Sequence, residues 1–401
     1  MLDEKSPIAW RIAQWNERVE GAKAQGLYFY LQEAEAVDGM YVTINGRKML
    51  QFASYGYLDL LGHPKIDAAA HAAIEEYGTG THGVRLLAGT ISLHAELEQT
   101  VADFKDTESA MVFSSGFVCN FATIAALVGR NDVVISDKLN HASIVDGCLQ
   151  SRAKFVRVEH NNMESLEKAL AQNCDKGKLV VADSVFSMDG DILNLPEVAG
   201  LCQKYNALLM VDEAHSVGVL GETGRGIEEH FGLKNVIDVK MGTLSKTIPS
   251  VGGYIAGSKE LITYLRHSAR GFIFSAALPP ASVAAAKAAF EVILEEPERV
   301  KRLQRNVDHF ITGLKARGFN TLNSETPIVP VLTQDDERAW LMTKISQDNN
   351  IFVLPVVSPA VPSNLSRLRA NVTAGHTLDE IDRAMDIFEM AAKEVGLLPT
   401  R

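Results

Sequence analysis

Between residues 93 and 256, short apolar runs rich in β-branched residues alternate with longer stretches of helical period. The runs at 110–114, 133–136, 154–158, 178–182, 207–211, 237–241 and 252–256 predict strands. The stretches 94–104, 117–128, 142–150, 163–172 and 195–205 predict helices. A strand that returns parallel to its predecessor needs a helix-length crossover, and helices on both faces leave the strands apolar throughout. The pattern therefore predicts an α/β fold with a mainly parallel sheet covered on both faces.

The flanks carry other patterns. Ile8, Trp10, Ile12, Trp15 and Val19 stand among charges over residues 8–25 and predict an amphipathic N-terminal helix. Residues 40–53 alternate, turn at Asn45-Gly46 and alternate again, which predicts a small hairpin. An irregular aromatic segment, 54–59, and an alanine-rich helix, 65–77, follow. A helix over 280–295 starts at Pro279-Pro280 and leads away from the sheet, and a charged helix runs from Glu296 to Arg317. Strands near 328–332, 351–355 and 367–372 with helices at 336–347 and 378–395 predict a smaller α+β domain. The expected division is an N-terminal helix and hairpin (1–53), a large α/β domain (54–280) and a C-terminal α+β domain (281–401).

Composition narrows the class. The 401 residues are 46% hydrophobic and 22% charged, as in ordinary globular proteins. A net charge of −11 argues against nucleic acid or an anionic membrane as partner. No apolar run reaches the roughly 20 residues of a membrane span. Residues 1–5 lack the layout of a signal peptide, and the four cysteines show no C-x-x-C spacing. Reduced thiols in a cytoplasmic protein are the expectation.

In parallel sheets ligands bind beyond the carboxyl ends of the strands. Five such ends carry chemistry. Ser115-Gly116-Phe117 opens a helix, whose N-terminal amides suit a phosphate. Asn140-His141, Ser187, Asp212-Glu213-Ala214-His215 and Thr243-Leu244-Ser245-Lys246 end the others. A lysine on a turn against apolar surface has a lowered pKa and a free amine. Each residue also has a structural explanation: a helix cap for His141 or Asp212, a local turn for Ser187, a strand-end hydroxyl for Thr243. Together they match what pyridoxal 5′-phosphate (PLP) requires: a Schiff-base lysine, an acid for the pyridinium nitrogen, an aromatic face and a phosphate cup.

Two other motifs fail on context. Gly78-Thr79-Gly80-Thr81-His82-Gly83 fits the dinucleotide fingerprint in letters but follows a helix rather than a strand. Asp212-Glu213-Ala214-His215 matches a helicase-type acidic box, yet no phosphate-binding loop with its lysine exists in the chain. No second histidine–carboxylate pair has metal-ligand spacing, so no metal centre is expected.

The set Tyr77-Gly78-Thr79-Gly80, Gly83 to Thr90, Ser115-Gly116-Phe117, Asn140-His141-Ala142-Ser143, Ser187-Met188-Asp189-Gly190, Asp212-Glu213-Ala214-His215 and Gly242 to Lys246 resembles the α-oxoamine synthases, fold type I PLP enzymes. The resemblance spans about residues 40–395. It implies a seven-stranded sheet and a homodimer with shared active sites. It also implies that Lys246 carries the cofactor, Asp212 pairs with its ring nitrogen, His215 bonds its phenolic oxygen and His141 stacks on it. Gly116, Phe117 and Thr243 would bind the phosphate, Ser187 would lie near the cofactor, and Ser275 would reach a neighbouring subunit's phosphate. Arg369 in Arg367-Leu368-Arg369 would clamp the amino acid's carboxylate.

The implied reaction joins a small amino acid (serine, alanine or glycine) to an acyl thioester, on CoA or an acyl-carrier protein, with loss of CO₂. Tyr55 and the loop around Ala360, Ser358 to Pro362, resemble the serine palmitoyltransferase branch. The loop shares features with the 8-amino-7-oxononanoate synthase branch as well, and 2-amino-3-ketobutyrate CoA ligase is a further alternative. An aminotransferase would share cofactor and fold without forming a carbon–carbon bond. Gly56 and Asp59 depart from the family's usual asparagine and glycine.

Overall fold

A computed structural model describes residues 6–399. Its strands in chain order are β1 (Ala36–Asp38), β2 (Tyr41–Ile44), β3 (Arg47–Gln51), β4 (Ser109–Phe113), β5 (Val133–Asp137), β6 (Lys154–Val158) and β7 (Lys178–Asp183). Then come β8 (Leu208–Asp212), β9 (Val239–Ser245), β10 (Pro249–Gly257), β11 (Ile328–Leu332), β12 (Ile351–Phe352), β13 (Leu354–Val356) and β14 (Arg367–Asn371).

Seven strands form the main sheet in the order β4-β10-β9-β8-β7-β5-β6. Pairing is parallel from β9 to β6, while β10 runs antiparallel to both β4 and β9. The short turn between β9 and β10 explains the exception, because it leaves no room for a crossover helix. Alternate side chains enter two separate cores. Ala110, Val112, Ile135, Val180 and Val211 point to one, and Met111, Phe113, Val134, Leu179 and Met210 to the other. This period-two split is how a run that looks uniformly apolar is buried on both faces.

The C-terminal elements build a three-stranded antiparallel sheet, β11-β14-β13. The stretch 351–355, expected as one strand, divides at Val353. Its first half, β12, pairs in parallel with β3 and completes a four-stranded sheet with the N-terminal hairpin. Its second half, β13, pairs with β14. The hairpin therefore rests on C-terminal backbone some 300 residues away, a pairing that no local pattern encodes.

The N-terminal helix, Pro7–Ala24, buries none of its residues, and Ile8, Trp10, Ile12 and Trp15 are about half exposed. Among the described residues no helix is long and apolar enough to cross a membrane.

Candidate active site

At the carboxyl edge of the main sheet, strand ends and one helix start enclose a cavity of about 290 Å³. Gly116, Phe117, His141, Ser187, Asp212, His215, Thr243 and Lys246 all line it. Tyr55 and Arg369 stand beside it. The Tyr55 ring lies 5.9 Å from Lys246 Nζ and 4.9 Å from the Arg369 guanidinium, and meets His215 edge-on at 5.9 Å. Ser275 and Ala360 are not brought to this cavity. Ser275 follows a short helix, Arg270–Ile273, beside the bridge of Ala276 to Val84. Ala360 is exposed in its loop.

Local chemistry accounts for each placement. Ser115 caps the helix Gly116–Leu127 by accepting the Val118 amide, and the next two residues, Gly116 and Phe117, line the cavity at the helix start. Helix start and sheet edge touch: a Cβ on Gly116 would meet Thr243 Oγ1 at 2.9 Å. His141 both caps its helix, accepting the Ser143 amide, and presents its ring to the cavity. The capping explanation and the functional one thus hold together. Its backbone amide donates to Asp183 at 2.9 Å.

Three residues join the site that sequence patterns did not single out. Asn120, 1% exposed, donates to Asp212 Oδ2 at 2.6 Å and to Ser143 Oγ at 3.0 Å. The Ser143 hydroxyl lies 2.7 Å from His141 Nδ1. Tyr57, fully buried, places its hydroxyl 2.7 Å from His215 Nδ1. Asn120 had a legible signal, being the one amide in the apolar helix GFVCNFATIAAL, where a polar side chain at full burial needs a partner.

Burial sets the electrostatics. Desolvation lowers Lys246 to about 8, against the opposing pull of Asp212 and Asp183. Burial and the neighbouring Lys246 and Arg369 charges hold His215 well below the usual imidazole range. Asp183, paired in register with Asp212 on the next strand, is raised well above the carboxylate range by burial and by that neighbour's charge. Lys246 Nζ lies 2.9 Å from His215 Nε2. With the amine as donor, the imidazole proton sits on Nδ1 and is donated to the Tyr57 oxygen.

These residues fit PLP. A largely desolvated amine, a carboxylate fixed by Ala214 N and Asn120, an imidazole face and a helix N-terminus surround one cavity. The donor set supplies one counter-group for each polar end of that molecule. Among the described residues no cluster of His, Cys, Asp and Glu has a metal-holding arrangement.

Comparison with known proteins identifies the family. The family model for aminotransferase class I and II matches residues 47–388. An 8-amino-7-oxononanoate synthase of Thermoanaerobacter pseudethanolicus is 44% identical over 95% of this chain and 97% of its own length. A serine palmitoyltransferase of Sphingobacterium spiritivorum is 42% identical over 95% and 96%. Among solved structures, a serine palmitoyltransferase from S. paucimobilis with bound PLP–myriocin aldimine matches with a TM-score of 0.95 at 34% identity, covering 98% of this chain and 100% of that one. An 8-amino-7-oxononanoate synthase from Francisella tularensis matches with a TM-score of 0.76 at 27% identity, over 87% and 99%. The chain belongs to the aminotransferase class I and II family and, within it, to the PLP-dependent α-oxoamine synthases, which are acyltransferases of fold type I.

Proposed function

We propose that this enzyme condenses serine with a long-chain acyl thioester, and that the residues around the cavity divide the work as follows. The observation that carries the reading is the Arg369 guanidinium, 8% exposed, set against the Tyr55 ring on the open side of Lys246. Arg369 Nε donates to Ser187 O at 2.8 Å and one terminal nitrogen to Asn371 Oδ1 at 3.2 Å. The remaining N–H groups are available to an amino acid's carboxylate.

Asp212 would pair with the cofactor's ring nitrogen and keep it protonated. When bound, PLP would supply an electron sink for the pair left at the substrate's α-carbon. Lys246 takes the α-proton onto Nζ, a role suited to an amine already shifted to about 8. His215 Nε2 fixes where Nζ rests, and Tyr57 fixes His215. His141 would cover one face of the ring. Gly116, Phe117 and Thr243 would hold the phosphate at the helix start, with Ser187 lining the same cavity. Arg369 would hold the substrate by its carboxylate and so select which bond to the α-carbon breaks. The α-carbon attacks the thioester carbonyl and the sulfur leaves as a thiolate, which takes its proton from water. The original carboxylate departs as CO₂, and a proton from Lys246 completes the α-amino ketone.

The TM-score of 0.95 over 98% of the chain supports the serine palmitoyltransferase-like reading. A second reading, alanine with a short acyl chain ending in a carboxylate, is favoured by 8-amino-7-oxononanoate synthases at 44% to 46% identity. We place the enzyme in the cytoplasm as a homodimer. Supporting this are the four free cysteines and the exposed Trp10, Trp15, Leu87 and Phe274, which a second copy would cover. Ser275 beside Phe274 then faces the other copy's cavity, Ala360 and Tyr55 line the acyl approach, and an acyl-carrier protein remains an alternative donor to CoA.

The test is turnover of serine, alanine and glycine with a series of acyl-CoA thioesters, following CO₂ and the amino ketone by mass. Fastest turnover of serine with long chains supports the first reading. Preference for alanine with an ω-carboxylated chain replaces it with the second. CO₂ release without a thioester defeats both.

A further inference from the structure

The loop between β7 and the helix Leu195–Lys204 connects the two substrate-facing parts of the site. It folds back on itself through the bridge of Val185 with Ile192 and the bonds Phe186 N to Asp191 O and Gly190 N to Phe186 O. Its tip carries Ser187, Asp189 and Gly190 into the C-terminal sheet. Arg367, 2% exposed, pairs with Asp189, and Arg369 Nε donates to Ser187 O. A Cβ on Gly190, at φ +75, would meet Ile328 O at 2.0 Å, so the tip sits flush against β11. Thr326 and Glu325 also donate to Gly190 O.

The base of the same loop is tied to the turn that bears His141. Two consecutive residues after β6 make the tie. His160 bridges two carboxylates, with Nδ1 3.1 Å from Asp137 and Nε2 2.8 Å from Asp191. Asn161 donates to Asp137 and to Ile192 O and accepts the Asn194 amide. Asp137 in turn accepts the Leu139 amide, in the turn leading to His141. The other Asp191 oxygen is buried without a partner, so His160 is the donor that compensates this carboxylate among the described residues. Phe186 packs edge-on against the His160 ring at 4.3 Å. Burial would lower the imidazole, but the two carboxylates outweigh it and push it up to about 10, so the bridge is charged at neutral pH.

We propose that His160 is a positioning residue: through Asp137 and Asp191 it fixes the loop 184–193, and so couples the carboxylate grip of Arg369 to the placement of His141. The inference rests on the amino-acid role given above to Arg369. It requires no contact between His160 and substrate. The chain of contacts runs from the His141 turn through Asp137, His160 and Asp191 to the loop tip, and from there through Ser187 and Asp189 to β14. Arg367 and Arg369 alternate along β14 and both hold that tip, so a shift of the loop moves the grip.

The test uses PLP-loaded protein and reads amino-acid binding from the change in visible absorbance, with no acyl donor present. His160→Gln and Asp191→Asn each keep a hydrogen-bonding group of similar shape while removing the charge pair. Each is expected to weaken amino-acid binding about tenfold while cofactor content stays full. The double variant should be no weaker than either single one, since both cut the same link. Amide exchange over 184–193 should rise in both. Wild-type binding constants in both variants overturn the inference, as does a loss that adds up in the double variant. Should His160→Gln not fold, Asp191→Asn alone decides by the same measures. A wild-type protein whose spectrum no amino acid perturbs would instead overturn the function proposed above.

Discussion

Lys246 Nζ and His215 Nε2 stand 2.9 Å apart, and burial opposes a charge on either. The pair therefore holds a nucleophilic amine near neutrality without a dedicated base. Lys246 is deprotonated above about 8. PLP uptake by the apoprotein should quicken about tenfold per pH unit below that point and level off above it. Stopped-flow absorbance checks this. An uptake rate flat from pH 6 to 9 would contradict it.

Removing the amine has a larger effect. Lys246→Ala should show no absorbance from a lysine-bound cofactor, and kcat should fall by about 10² to 10⁴ or more, the range of a lost general base alone. The visible spectrum and steady-state rates together check this. Retention of both the band and the activity would remove Lys246 from the mechanism.

Arg369→Ala separates binding from cofactor chemistry. Losing a charge-assisted bond of about 1.5–3 kcal/mol should raise the amino-acid KM about 10- to 100-fold. Cofactor content should stay full, because Arg369 makes its hydrogen bonds to Ser187 and Asn371 and none to Lys246. An unchanged KM would leave the carboxylate without its proposed partner.

Asn120→Ala strips Asp212 Oδ2 of its amide donor at a buried position of its helix. We expect a stability loss of about 1–3 kcal/mol, the cost of a buried acceptor left unmet. Urea denaturation of the apoprotein measures it. The same variant should bind PLP more weakly, since the carboxylate loses its fixed orientation.

Stability should also fall on acidification. His376 accepts the Thr373 amide at Nδ1, donates from Nε2 to Gln51 O and stacks on Phe52 at 4.4 Å. Burial lowers it to about 4. The unfolded chain binds more protons than the fold between about 6.5 and 4. Its contribution is therefore full above the unfolded value and lost as pH falls, amounting to about 3 kcal/mol. Urea midpoints at pH 7 and pH 4.5 check the slope, which His376→Asn should flatten.

His160 has the opposite sign. Its folded value of about 10 lies above the unfolded one. Its stabilisation is full below about 6.5 and disappears as pH rises through 10.

Most of the site was legible because strand ends announce themselves. A β-branched run followed by Ser115-Gly116, Asp212 or Thr243 marks the edge where ligands bind, and all three line the cavity. What stayed hidden depends on burial or on distant pairing. Tyr57 and Ser143 are unremarkable letters until His215 and His141 are placed against them. The split of 351–355 between two sheets is decided by β3 and β14, not by its own residues. Ser275 and Ala360 rested on resemblance alone, and a single chain does not carry them to the cavity.

The antiparallel insertion of β10 between β4 and β9 has a consequence for synthesis. Gly116 sits at the end of β4 and Lys246 at the end of β9, and neither strand pairs with the other. A nascent chain that ends before residue 257 can form both ends but lacks the strand that joins them. The helix start and the lysine proposed to hold the cofactor are thus locked in one sheet only through β10, so a chain cut before that strand should fail to retain PLP.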